Sequence, residues 1–290
     1  MPITVADVEQ ALAAEPVAVP ASYSDRDTKL YAVAIGMGKD PMDQQALQYT
    51  CETVGERVVP SAATVLSRNA ARQADPLRSK MDYSMLLHGE QSLTLHQPLP
   101  VAAEILVSNR TTGVYDKGAG KGALVVNETD VTLTDGTPLY TLGSTSFYRG
   151  DGGFGGTAEG APVPHRLPER APDHVCELPQ RPEQALIYAL CGDRNPLHRD
   201  PAAAQKAGFD MPILHGLCSY GIACHAVLAT VLDYDHARMK SFDLRFSAPV
   251  FPGETQLVEM WVDGDIVSFR TRIKERDVVS INNGKYVITA

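Results

Sequence analysis

The two halves of this chain repeat each other, and that repetition limits the fold more than any other feature. Leu30-Tyr31-Ala32 followed by Lys39-Asp40-Pro41 parallels Ile187-Tyr188-Ala189 followed by Arg194-Asn195-Pro196. Further on, Pro98–Glu104 parallels Ala248–Glu254, and Thr134-Asp135-Gly136 parallels Asn282-Asn283-Gly284. The matches fall at nearly constant offset, so each half is expected to be one supersecondary unit of the same kind. Between them, residues 150–174 are first Gly-rich and then Pro-rich, the composition of a flexible connector. The spacing predicts one unit over 1–149, a linker over 150–174 and a second unit over 175–290.

Local patterns give each unit the same plan. Residues 1–24 read as a short helix and an extended lead-in, and Asp25 or Asp27 is the expected cap of a helix that Gly36 and Gly38 stop. Residues 43–59 read as extended, and Ser61 as the cap of a helix over 62–73. Period-two alternation then begins: Tyr83, Met85 and Leu87, an interruption at His88-Gly89, then Gln91, Leu93 and Leu95. Three more strands follow at Val101–Asn109, Ala123–Leu133 and Leu139–Tyr148, with a hairpin at Asp135-Gly136. In the second half, helices are expected over Arg181–Leu190, Pro201–Lys206 and Leu217–Leu232. Strands are expected over 239–248, 255–263, 266–275 and 278–288, with turns at Asp263-Gly264 and Asn283-Gly284. The fold class is α+β, two units each with one long helix wrapped by an antiparallel sheet.

Charge and composition narrow the function. The 290 residues carry a formal net charge of −9 with no Lys/Arg block, which argues against nucleic acid or a membrane surface as partner. No apolar run is long enough to span a membrane. Five cysteines without a C-x-x-C read as free thiols in a reducing compartment. Met1–Glu9 lacks the basic and apolar regions of a secretory signal, and the final Val-Ile-Thr-Ala is no peroxisomal tripeptide, so a cytoplasmic location is expected.

The chemistry concentrates between Tyr188 and Ala203. Asp193 and His198 lie five positions apart with Pro196 between them, so they sit on a turn that aims both at one point. A carboxylate and an imidazole are the minimum set for moving protons to and from water. Gly216, opening the apolar helix, offers a backbone N–H to a developing oxyanion. Other chemistries find no support. Cys218 reads as a buried small residue rather than a nucleophile, no Gly-x-Ser-x-Gly is present, and His215 and His225 lack metal-ligand spacing, so no metal is expected.

Tyr188, the run Gly192-Asp193-x-Asn195-Pro196-Leu197-His198 and the small Ala203 resemble the motif of the hydratase 2 (MaoC-like) family of R-specific enoyl-CoA hydratases. The resemblance implies a double hot-dog fold and (3R)-specific hydration of trans-2-enoyl-CoA. It assigns Asp193 and His198 to a shared water, Asn195 to orienting that water or His198, and Gly216 to the thioester oxygen. It places His88, Gly89, Lys117, Arg194, Pro196, Leu197 and Phe246 against the acyl-CoA, with Lys121 near the phosphates beside Lys117. The first half has no histidine where the second has His198, so it is expected to shape the binding tunnel, with room for medium or longer acyl chains. No cofactor is implied, acyl-CoA is the partner, and a homodimer is compatible with the plan. Three alternatives stay open: a 3-hydroxyacyl dehydratase of fatty-acid or polyketide synthesis acting on carrier-protein thioesters, a non-enzymatic acyl-thioester-binding protein, and a thioesterase.

Overall fold

The alternating segments form ten strands that join into one antiparallel sheet. The computed structural model describes residues 3–73, 77, 79–82 and 86–289; Tyr83 and Met85, expected to begin a strand, lie outside them. In chain order the first half holds α1 (Val5–Ala13), β1 (Ala18–Tyr23), α2 (Asp25–Ala34), α3 (Gln44–Leu47), α4 (Ala63–Leu66), α5 (Arg68–Gln73), β2 (Leu86–Leu95), β3 (Ala103–Asp116), β4 (Ala123–Leu133) and β5 (Pro138–Tyr148). The second half holds β6 (His174–Pro179), α6 (Gln184–Ala189), α7 (Pro201–Lys206), α8 (Gly216–Thr230), β7 (Met239–Phe246), β8 (Thr255–Asp263), β9 (Ile266–Ile273) and β10 (Val278–Ile288).

The strand order is β1-β3-β4-β5-β2-β7-β10-β9-β8-β6. It reads the same from either edge once β1 is matched to β6 and β2 to β7. Two copies of one five-stranded unit therefore meet at the β2–β7 pair, where Gln91 faces Leu244 and Leu93 faces Phe242. This is the arrangement expected of a double hot dog. The repeated tyrosines also meet: Tyr31 of α2 and Tyr188 of α6 pack edge to face, 6.1 Å between ring centres.

The helix wrapped by each half differs between the copies. α8 is unbroken, and every residue from Leu217 to Leu228 is buried, as in a helix enclosed on all sides. Its counterpart is a 3-10 turn at Pro60–Ala62 followed by α4 and α5, with Ser67 between them. The expected single helix over 62–73 is thus broken. Ser67 turns its hydroxyl back onto the Ala63 carbonyl at 3.3 Å, the local bond by which serine competes with a helix. Nor is Ser61 its cap; it lies inside the 3-10 turn and accepts a hydrogen bond from Tyr31.

Other boundaries also move. The cap of α2 is Ser24, whose N–H and hydroxyl both donate to Asp27. Residues 43–59 are not extended, because Asp43 caps α3 and turns follow. Asn283-Gly284 is a bulge inside β10 rather than a turn, with Asn283 at a φ of 56°. The turn between β9 and β10 falls instead at residues 274–277, so the Thr134–Gly136 and Asn282–Gly284 segments are not structural equivalents. Residues 174–179 add an edge strand beyond those the alternation predicts. The Gly-rich start of the connector is fastened: Asp116 accepts from the N–H groups of Gly153, Gly155 and Gly156. β2 breaks register at His88/Glu90, as the interruption there predicts.

Candidate active site

The chain leaves α6 through Gly192, whose φ of 111° favours glycine, and that sharp exit sends Asp193 inward. Asp193 is only 6% exposed. Asn195 caps the next 3-10 turn, Pro196–His198, its Oδ1 accepting from the Leu197 N–H at 3.1 Å. His198 closes that turn. Its Nδ1–H donates to the Ile213 carbonyl at 2.9 Å, which fixes the tautomer and leaves Nε2 as the acceptor.

His215 supports the pair from behind. Its Nε2–H donates to the Asp193 backbone carbonyl at 3.0 Å, and its ring lies 3.9 Å from that of His198 and 4.9 Å from that of Tyr188. Burial drives its pKa down to about 3, so the ring is neutral. On the other side, Arg68 of α5 brings its guanidinium 2.8 Å from Asp193 Oδ2. Burial alone would raise the Asp193 carboxyl, but Arg68, then His215 and His198, outweigh it and hold the group below the usual carboxylate range. Burial lowers His198. The pair is therefore an anion and a neutral imidazole.

Gly216 begins α8, so its N–H has no partner within the helix and stands at the positive end of the helix dipole. The Phe246 ring closes over it, 3.3 Å from where a Cβ would stand. His88 packs on that ring at 5.0 Å and bonds the Glu90 carbonyl at 3.1 Å. Burial takes its pKa to about 4. One cavity of about 700 Å³ collects Asp193, Asn195, Leu197, His198 and Gly216 with His88, Gly89, Lys117 and Phe246. Arg194 and Pro196 lie outside its lining; the Arg194 carbonyl accepts from Arg199 instead.

Known proteins share this layout along the whole chain. Residues 164–284 match the MaoC like domain, and residues 21–150 match the MFE-2 hydratase 2 N-terminal domain. Enoyl-CoA hydratase ChsH3 of Mycobacterium tuberculosis is 36% identical over 293 residues, covering 100% of both chains. The peroxisomal enoyl-CoA hydratase 2 of Arabidopsis thaliana is 37% identical, covering 88% of this chain and 87% of that one. The chain belongs to the MaoC-like hydratase 2 family. A MaoC-like dehydratase from Phytophthora capsici superposes with a TM-score of 0.86 at 36% identity, over 97% of this chain and 98% of that one. A Mycobacterium tuberculosis protein described as a double hotdog fold superposes at 0.58 with 11% identity over 94% of each chain, which bears on fold alone.

Two residues of this hydratase 2 site escaped sequence reasoning. Arg68 lies on a helix of the other half, with no motif around it. His215 has a spacing that bears on metal binding alone. The fold does bring Asp193, His198 and His215 within 4.8 Å of one another. Their chemistry fits a cation poorly, because Arg68 already pairs with the carboxylate, and each imidazole already donates one ring N–H to a backbone carbonyl, Ile213 for His198 and Asp193 for His215.

Proposed function

We propose that this chain catalyses the reversible (3R)-specific hydration of trans-2-enoyl-CoA to (3R)-hydroxyacyl-CoA, a hydro-lyase reaction. The carrying observation is the Asp193–His198 pair in the same cavity as the Gly216 end of α8. Asp193 and His198 hold one water. Its oxygen adds to C3 while a proton passes to the pair, and the pair returns a proton to C2 on the same face. Charge that gathers on the thioester oxygen is met by the Gly216 N–H, a donor worth about 3 kcal/mol in such a transition state.

The remaining assignments belong to the same proposal. Lys117 meets the CoA phosphates, and His88, Gly89, Leu197 and Phe246 contact the ligand. The N-terminal half, lacking an acid–base pair, shapes the acyl tunnel. The reaction needs no cofactor, because the thioester already acidifies C2. Five unpaired thiols support a reducing compartment, the cytoplasm. Among the described residues no helix is long and apolar enough to cross a membrane.

The test is hydration of trans-2-enoyl-CoAs of graded length, with chiral analysis of the product. An S product, or no turnover at any length, sinks the proposal.

A further inference from the structure

The cavity does not end at the acid–base pair. It runs on between the broken helix α4–α5 and the inner face of the N-terminal sheet, where Ser67, Asn109, Asn127, Thr129 and Ser144 line it. That face is apolar at its far end: Ile105 and Val107 precede Asn109 on β3, and Val131 follows Thr129 on β4. Two cross-strand pairs then interrupt it. Asn109 stands opposite Thr129, and Thr111 opposite Asn127. In each pair the threonine hydroxyl donates to the carboxamide oxygen at 2.9 Å. Each oxygen already accepts one bond, and the –NH2 groups are the donors these amides offer. Asn109 is only 6% exposed, so its donors are removed from bulk water.

The corresponding face of the C-terminal half is filled. Phe242 packs there against Phe269 and Tyr286, ring centres 5.2 and 5.1 Å away, and Tyr220 of the unbroken α8 lies 4.5 Å from Phe242. One half thus packs aromatics beneath a continuous helix and keeps its own polar groups, such as Gln256 and Thr271, fully buried. The other breaks its helix and lines the resulting space with amides and hydroxyls. A plain alkyl chain in that space would strand buried donors without acceptors.

We propose that the acyl group this enzyme takes carries an oxygen function, a ketone or a hydroxyl, far from the thioester, and that Asn109 and Asn127 bind it. This deepens the hydratase reading and rests on it. The reach follows from strand geometry. Val125 on β4 pairs with Ser146, which pairs with His88 at the thioester end; Thr129 lies four residues further along β4. At the rise of an extended strand that is about 13 Å, the length of a medium acyl chain. Asn127 lies about halfway along the same path.

The test uses the full chain and a medium-length trans-2-enoyl-CoA, plain or with a ketone or hydroxyl at its far end. The expected result is a kcat/KM at least about tenfold higher for the oxygenated chains, since sites lined by donors reject analogues that lack the acceptor. In Asn109→Leu and Asn127→Leu, with thermal melting to check folding, that preference should fall to parity or invert. A wild-type ratio near one or below overturns the proposal, as does a ratio unmoved in both variants. If no thioester is hydrated, the catalytic reading fails. Calorimetric titration of saturated acyl-CoAs, with and without the far oxygen, then still decides the acyl preference: tighter binding of the oxygenated chain supports it, and equal or weaker binding overturns it.

Discussion

The Arg68 guanidinium lies 2.8 Å from the Asp193 carboxylate, so the N-terminal half supplies the cation beside the acid–base pair proposed in the C-terminal half. Arg68 acts on both members in the same direction. It lowers the Asp193 carboxyl against the effect of burial, and adds to burial in lowering His198. Neighbouring His215 and His88 feel it as well. In Arg68→Gln both pair members bind protons more readily, so the acid limb of the kcat/KM profile should move to higher pH. The rate at neutral pH should fall about tenfold or more, with partial recovery in Arg68→Lys. A rate loss with an unmoved acid limb would mean that Arg68 serves packing alone.

Asp193→Asn and His198→Ala should each lower kcat by about 10²–10⁴, the range of general acid–base contributions. The double variant should be scarcely worse than either single one, because in the proposed mechanism the two act on one water. Loss of the enoyl-thioester absorbance follows the reaction. Additive losses would mean that they work in separate steps.

At Gly221, α8 passes close against the first half. A Cβ there would stand 2.5 Å from both Ile35 Cγ2 and the Tyr31 hydroxyl. Gly221→Ala should therefore cost about 1–3 kcal/mol of stability, the scale of overpacking in a filled core. Urea unfolding measures it. A neutral result would mean that α8 shifts along its axis at little cost.

Asp243 stands beside the sheet join, opposite Ser92 on one side and Lys285 on the other. Burial raises its carboxyl from 3.8 to about 6, with Lys285 opposing. A group whose folded pKa is raised favours folding while protonated, and that contribution is lost as pH climbs from its unfolded value through about 6. Asp243→Asn should thus gain stability on the wild type as pH rises from about 4 to about 7, by at most about 3 kcal/mol. Melting temperatures across that range test it; a gain that is flat with pH would refute the assignment.

The strands of this protein were legible because alternation survives wherever one sheet face is buried, as at Ala123–Leu133 and Thr255–Asp263. The turn holding Asp193 and His198 was legible because Gly192, Asn195 and Pro196 each have local conformational preferences. Arg68 was not, since an arginine on a short helix looks the same whether it meets water or a carboxylate from the other half. The break at Ser67 escaped because serine is tolerated inside helices, and only its bond to Ala63 shows the alternative it took. Asn283-Gly284 misled because the same pair suits a turn or a bulge, and only pairing on both sides decides which.

The broken helix of the first half and the continuous α8 of the second have a consequence for how such a site can change. In an assembly of two identical subunits, any substitution that opened room for an acyl chain beneath one helix would open it beneath the other, loosening the copy that holds the proposed oxyanion donor. Joining the copies in one chain separates their fates. The first can trade rigidity for capacity residue by residue, as at Ser67, Asn109 and Asn127, while the second keeps the packing that holds Gly216 still.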